Sequence, residues 1–245
     1  MTTRAFLLAS LLLGFNAFAL RQDPLKVAPE AYKLQFENDW VKVTRVYYGP
    51  RARVPMHDHS RLPAAYVYLN DSGPINFSHA GWEHPVLTRR PTKAGAFRLS
   101  PTAAVGETHE VENPTDIPSD FLRIEFKTRA DGRASLHGRF YPVRYRAGSY
   151  FRKVQFANEQ LRVTRLACPP RKTLTVEASA SEPALLVILS RARLGAAGRE
   201  TLEAGQTVWL EGGDEMQFGN LSDTPLELLR FDFRTDPVKS AAGGE

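Results

Sequence analysis

One cysteine, Cys168, stands in a chain of 245 residues. No internal disulfide can form, so core packing alone must hold the folded chain. So low a thiol content suits an oxidising compartment, where a spare cysteine is a hazard. Basic clusters are scarce too. The net charge is +5, but no basic run is interleaved with aromatics, which excludes a nucleic-acid footprint. No phosphate loop, Ser/His/Asp order or thiol nucleophile stands out, and no amphipathic helix of useful length. The apolar run Ala5 to Phe15 is too short to span a bilayer comfortably.

That run has a different use. It follows the single charge of Arg4 and precedes Ala17-Phe18-Ala19, a small-x-small cleavage pattern. Residues 1–19 therefore read as a secretory signal peptide cut after Ala19, which places the mature chain in the periplasm of a Gram-negative bacterium. An uncleaved anchor or a buried helix is the alternative. The closing stretch from Asp236 to Glu245 is small and polar and reads as a loose tail.

Between these ends the chain repeats itself. Lys33 to Arg45 matches Lys153 to Arg165 without a gap, and the register runs on through Pro63/Pro183, Val67/Val187 and Leu69/Leu189. Further on, Asn113 to Thr128 matches Asn220 to Thr235, and Ala94-Gly95 matches Ala204-Gly205. Two copies of one domain follow, over 20–130 and 151–236, with a connecting segment at 131–150 and a tail at 237–245. Leu122, Ile124 and Phe126 alternate with Arg123, Glu125 and Lys127, and Leu229, Phe231 and Phe233 with Arg230, Asp232 and Arg234. Period two with polar partners predicts strands wet on one face. Short strands broken by turns such as Asn70-Asp71-Ser72-Gly73-Pro74 predict an all-β sandwich or barrel in each copy. Packing two barrels together covers sheet edges.

Residues kept in both copies serve the shared fold, and residues found in one are candidates for function. In the ungapped alignment His57 faces Glu177, His59 faces Ser179 and His109 faces Met216. Asn113 and Asn220 are kept together and read as turn residues. His57-Asp58-His59 lies in a β-type stretch, where side chains two apart share a face. Two imidazoles so placed can converge on one metal ion at about 2.0–2.1 Å. Surface histidines on an edge strand are the plainer alternative.

His109 stands in Gly95-Ala-Phe-Arg-Leu-Ser-Pro101 followed by His109-Glu-Val-Glu-Asn113. With the His-x-His element, these residues resemble the two motifs of the cupin superfamily. The resemblance covers nearly all of the mature chain, as a bicupin with one motif-bearing copy and one degenerate copy. It implies two tandem double-stranded β-helix (jelly-roll) barrels. It also implies that His57, His59 and His109 meet inside the first barrel and hold a divalent transition metal. The chain departs from the family in three places. Seven residues rather than five separate Gly49 from His57, an insertion follows Pro101, and Pro63 or Ala64 stands where the first motif has glutamate. A four-ligand manganese site of the oxalate-decarboxylase kind is thereby put in doubt. A three-histidine site, which in some dioxygenases of the superfamily holds iron(II), stays open. Fe2+ leads, with Mn2+, Zn2+, Ni2+ and Cu2+ as alternatives, because imidazole suits several of them. Glu107 and Glu110 are candidates for a fourth ligand.

The remaining residues take plainer readings. His79 and His84 flank a hairpin turn and read as surface or structural groups away from the metal, as does His137. Tyr66 and Tyr68 read as packing residues, Arg98 as a solvated residue or one facing an anionic substrate, and Cys168 as a small buried residue. Three functions stay open. They are an oxygenase-type enzyme acting on a small organic acid, thiol or polyphenol, a metal-dependent isomerase or lyase, and a non-catalytic binder of a small molecule or metal. The expected partner is a small-molecule substrate, with no nucleic acid, no membrane after leader cleavage and a possible homodimer through barrel faces. No catalytic acid or base can be named.

Overall fold

The computed structural model describes residues 22–101, 107–129, 136–194 and 201–238. The leader, most of the tail and residues 102–106 of the second motif's insertion lie outside them. The described chain is almost wholly β. Its one α-helix, α1 (Pro24–Val27), starts at Asp23, whose carboxylate accepts from the Leu25 amide at 3.0 Å, with proline at the first helical position. No helix among the described residues is long and apolar enough to cross a membrane.

The first half runs β1 (Tyr32–Glu37), β2 (Val41–Tyr48), β3 (Arg53–His59), β4 (Ala64–Tyr68), β5 (Ile75–His79), β6 (Val86–Arg89), β7 (Phe97–Ser100), β8 (Glu107–Glu112), β9 (Ser119–Phe126) and β10 (Gly138–Phe140). The second runs β11 (Phe151–Ala157), β12 (Leu161–Cys168), β13 (Thr173–Glu177), β14 (Ala184–Ile188), β15 (Ala192–Leu194), β16 (Thr201–Leu202), β17 (Thr207–Leu210), β18 (Glu215–Gly219) and β19 (Leu226–Phe233). Each half forms two antiparallel sheets. In the first they are β1-β2-β9-β4-β7-β10 and β3-β8-β5-β6, and in the second β11-β12-β19-β14-β17 and β13-β18-β15-β16. These are two tandem jelly-roll barrels, as the repeat predicts.

The alternating strands are not wet on one face. In β9 the polar partners Arg123 and Glu125 are each only 6% exposed, and in β19 Asp232 is 1% exposed. Leu122, Ile124 and Phe126 meet Leu229, Phe231 and Phe233 in one core between the two large sheets. The other face turns into each barrel, so the period-two pattern marks core against lumen rather than core against water. Two buried charges need partners. Arg123 contacts Glu125 at 3.2 Å, and Arg230 contacts Asp232 at 2.5 Å. The pair recurs in both halves and belongs to the fold.

The halves also exchange matched contacts. Gln35 Nε2 donates to the Gly205 carbonyl at 2.8 Å, and Arg165 donates to the Gly95 carbonyl. Gly95 and Gly205 both have positive φ, at 74° and 88°. A Cβ on Gly205 would lie 2.5 Å from Leu69 Cδ1 and 3.5 Å from Arg45 Cζ. The repeated Ala-Gly therefore marks the contact between the halves as well as a turn that glycine tolerates best. Asn113 and Asn220 hold matching turns, donating to Ile117 and Thr224 carbonyls at 2.9 Å each.

Candidate metal centre

The small sheet of the first half positions the site. β8 lies between β3 and β5, so His109 has His57 as register partner on one side and His79 on the other. His59 faces Glu107 across the same ladder. Residues 107, 109 and 111 share the lumen face, while Glu110 is exposed on the other, which removes Glu110 as a ligand.

A β-bulge decides which way the His-x-His element points. Val54 pairs with Val111 and His57 with His109, so two residues of β3, Pro55 and Met56, oppose one of β8. In the second half β13 pairs with β18 without a break, Leu174 to Phe218 and Val176 to Met216. The extra residue therefore shifts the pleat by one, as bulges do. The lumen places of His57 and His59 are taken in the second half by Val176 and Ala178, both buried, and not by Glu177 and Ser179. The ungapped alignment is corrected here by one residue. The pairing of His109 with Met216 stands. The twin lumen is filled by an apolar cluster that includes Val176, Leu186 and Phe218.

Three rings meet in the first lumen. Their centroids are 4.8 Å apart for His57 and His59, 4.8 Å for His57 and His109, and 5.0 Å for His59 and His109. One ligand nitrogen from each lies within 4.8 Å of the others. The Nε2 atoms of His57 and His59 are 3.1 Å apart, close to the spacing of about 3 Å for two ligands at right angles with bonds near 2.1 Å. His57 Nδ1 donates to the Pro55 carbonyl at 2.8 Å, which leaves the Nε2 lone pair facing the cluster. Tyr32 Oη, itself 2.7 Å from Tyr48 Oη, meets that nitrogen at 2.8 Å. Neither ring nitrogen of His109 has a hydrogen-bond partner, although both are buried. Buried orphan nitrogens are costly, and a divalent cation held by the three rings would satisfy one of them. The donor set fits a transition metal.

Electrostatics favour the ligand form of these rings. Burial, with Arg123 and the other histidines nearby, lowers His57 to about 4 and His59 well below 6.5. Both are neutral at pH 7, as metal binding requires. Burial alone would raise the Glu107 carboxyl, but His109, Arg123 and His79 outweigh it and hold the group at about 2. Burial raises Tyr32 well above 10, so its hydroxyl stays protonated.

His79 does not sit away from the cluster. It is 3% exposed, its ring stacks on Trp82 at 3.9 Å, and its Nε2 lies 3.2 Å from Glu107 Oε1. The same oxygen is 3.4 Å from His109 Nδ1. Sequence spacing had no access to this, because only the β5–β8 pairing brings residue 79 to residue 109. Glu107 groups with His79 and His109 rather than with all three candidate ligands. A carboxylate so placed would orient the His109 ring if that ring held a metal. Of Pro63 and Ala64, the two places open to the first motif's glutamate, Ala64 has as register partner Glu125, which Ser60 and Arg123 hold. His84 and His137 are exposed, and Cys168 is fully buried.

A cavity of about 110 Å³ reaches His59, Glu107 and His109, smaller than the roughly 300–1,000 Å³ of sites for drug-sized ligands. Tyr66, Tyr68 and Phe121 form much of its wall, and Arg89, Arg98 and Arg123 supply charge. Tyr66 and Tyr68 thus line the site, and Arg98 faces it rather than open solvent.

No family model and no curated protein sequence matches the chain. Solved structures do. AerE from Microcystis aeruginosa matches with a TM-score of 0.55 at 11% identity, over 83% of this chain and 97% of its own. The putative glyoxylate-induced protein of Pseudomonas aeruginosa matches with 0.55 at 13% identity, over 86% and 82%. Salicylate 1,2-dioxygenase from Pseudoaminobacter salicylatoxidans, solved as adducts with gentisate, matches with 0.50 at 14% identity, over 80% and 68%. Likeness at these identities shows the fold. The chain is a double-barrel protein of the cupin fold, with a histidine cluster in one lumen and an apolar filling in the other.

Proposed function

We propose that the protein is a metal-dependent enzyme in which His57, His59 and His109 hold one divalent transition metal, iron(II) by preference, and that it carries out oxygenase chemistry on a small organic molecule. The observation that carries this reading is the convergence of three imidazoles in one lumen, with the ring nitrogens of His109 left without a hydrogen-bond partner. When bound, such a metal would act as a Lewis acid for a chelating substrate and a site for dioxygen. The chain's own contribution is positional. Pro55 fixes the tautomer of His57, Glu107 orients His109, and Tyr32 keeps a protonated hydroxyl beside His57. The aromatic wall restricts water and holds the substrate body. Support for the oxygenase choice over the isomerase and lyase alternatives comes from the neighbour that pairs this fold with a salicylate dioxygenase.

Metal analysis of protein purified without added ions tests the first part. One equivalent per chain, lost in His57→Ala, is expected; equal metal in wild type and variant defeats the ligand assignment. Oxygen uptake by the iron-loaded protein across catechols, thiols, diketones and hydroxybenzoates tests the second. A panel without uptake, on protein that holds its metal, leaves capture without turnover as the reading. We also propose export to the periplasm with cleavage after Ala19, which amino-terminal sequencing of the mature protein checks.

A further inference from the structure

The structure assigns an anion-binding role to Arg98, assisted by Arg89, and with it a substrate class: small planar aromatic carboxylates that enter with the acid group on the arginines and the opposite edge toward the histidines. This deepens the reading above and rests on it for the metal end alone.

The charge balance of the cavity is the first observation. Arg89, Arg98, Arg123 and Arg139 line it, and Glu107 is the one carboxylate among the lining residues. Arg123 is compensated by Glu125 at 3.2 Å. Arg89 and Arg98 have no ion pair among the described residues. Arg89 is held by Ser119 Oγ at 2.8 Å and Ser72 Oγ at 3.3 Å, which position it without neutralising it. The Nε of each is buried and without a hydrogen-bond partner. A guanidinium facing an aromatic cavity in this state is costly unless a ligand supplies the counter-charge.

The duplicated half provides an internal control. A cross-strand row runs Thr44, Arg123, Tyr66, Arg98 in the first half. Its counterpart runs Thr164, Arg230, Leu186, Val208. Threonine and the ion-paired arginine are common to both rows. Tyr66 and Arg98 become leucine and valine in the half where the histidines also give way to apolar residues. A requirement of the fold would act on both rows. Arg98 therefore goes with the histidine site and not with the barrel.

The remaining wall selects the ligand's body. Arg98 lies 4.4 Å from the Tyr66 ring centroid, and Arg89 lies 5.3 Å and 5.5 Å from those of Tyr68 and Phe121. Aromatic rings beside both guanidiniums suit a flat ring with a carboxylate at its edge, which the arginine fork can take in two parallel hydrogen bonds.

Benzoate and benzamide differ in charge but hardly in shape, and they test the assignment on the full chain by calorimetric titration. Wild type is expected to bind benzoate about tenfold or more tighter than benzamide. Arg98→Met should remove that preference, and Arg98→Lys should restore part of it. His57→Ala, stripped of metal, should keep the preference, because the arginines and not the metal hold the acid. Failure of the metal reading would appear in elemental analysis and leave this titration unchanged. Equal affinity for the two probes in wild type, no binding of either at millimolar concentration, or an undiminished preference in a folded Arg98→Met would each overturn the assignment. Thermal unfolding of both Arg98 variants establishes that they are folded.

Discussion

The imidazole of His57 donates from Nδ1 to the carbonyl oxygen of Pro55 at 2.8 Å, and Pro55 is one of the two residues that share a single partner at the bulge. The bulge turns the ring into the lumen, and its own carbonyl then fixes the tautomer. The metal-free protein should therefore show His57 protonated at Nδ1 and bare at Nε2. Nitrogen-15 chemical shifts of the histidine rings measure this. An Nε2-protonated ring at residue 57 would refute the assigned tautomer.

Glu107 is expected to act through His109. A carboxylate behind a liganding imidazole raises its basicity and fixes its plane, and its loss typically costs 10–100-fold in metal affinity. Glu107→Gln should weaken metal binding by about that factor, read by competition with a chelator, while thermal unfolding of the metal-free protein changes little. Met216→Ala, in the twin lumen, should leave metal content as it is. An unweakened Glu107→Gln would mean that the contact at 3.4 Å has no bearing on the metal.

Much of this architecture was readable in the residues. The repeat predicted two barrels, period two predicted strands, and the loss of histidines from one copy predicted which lumen holds the histidine cluster. What escaped has physical reasons. A one-residue pleat shift leaves an ungapped alignment intact, so Pro55-Met56 concealed that His57 stands for Val176 and not Glu177. Alternation cannot tell water from a barrel lumen, so Arg123 and Glu125 looked solvated although both are buried. His79 reaches His109 only through strands far apart in sequence, a relation that no local pattern encodes.

The histidine cluster gives the metal-free protein a defined acid sensitivity. Burial lowers His57 to about 4 in the folded state, while the unfolded chain takes up its proton near 6.5. Between those values the unfolded state binds more protons, so stability is full above about pH 7 and falls as pH drops toward 4. His59, also lowered, acts with the same sign. The His57 share is at most roughly 3 kcal/mol. Urea midpoints of metal-free protein between about pH 7 and about pH 4.5 should show this fall, and His57→Gln should flatten it. A flat wild-type profile would contradict a neutral, buried His57.

The contact between the halves should be energetically lopsided although its residues repeat. Arg165 has a fully buried side chain and binds Gln155 Oε1 and Glu227 Oε2 at 2.9 Å each, with the Gly95 carbonyl as third acceptor. Its equivalent Arg45 pairs with Asp120 at 2.7 Å, but its side chain is 39% exposed. Removing Arg165 strands a carbonyl and a carboxylate that each reach water only in part. Arg165→Met should therefore cost about 2–3 kcal/mol. Arg45→Met should cost about 1 kcal/mol or less, since water can replace an exposed pair. Denaturant unfolding of both variants measures the difference, and metal content should stay unchanged in each. Equal losses would mean that burial of Arg165 adds nothing, and that the repeated lysine-to-arginine segment stabilises the two barrels symmetrically.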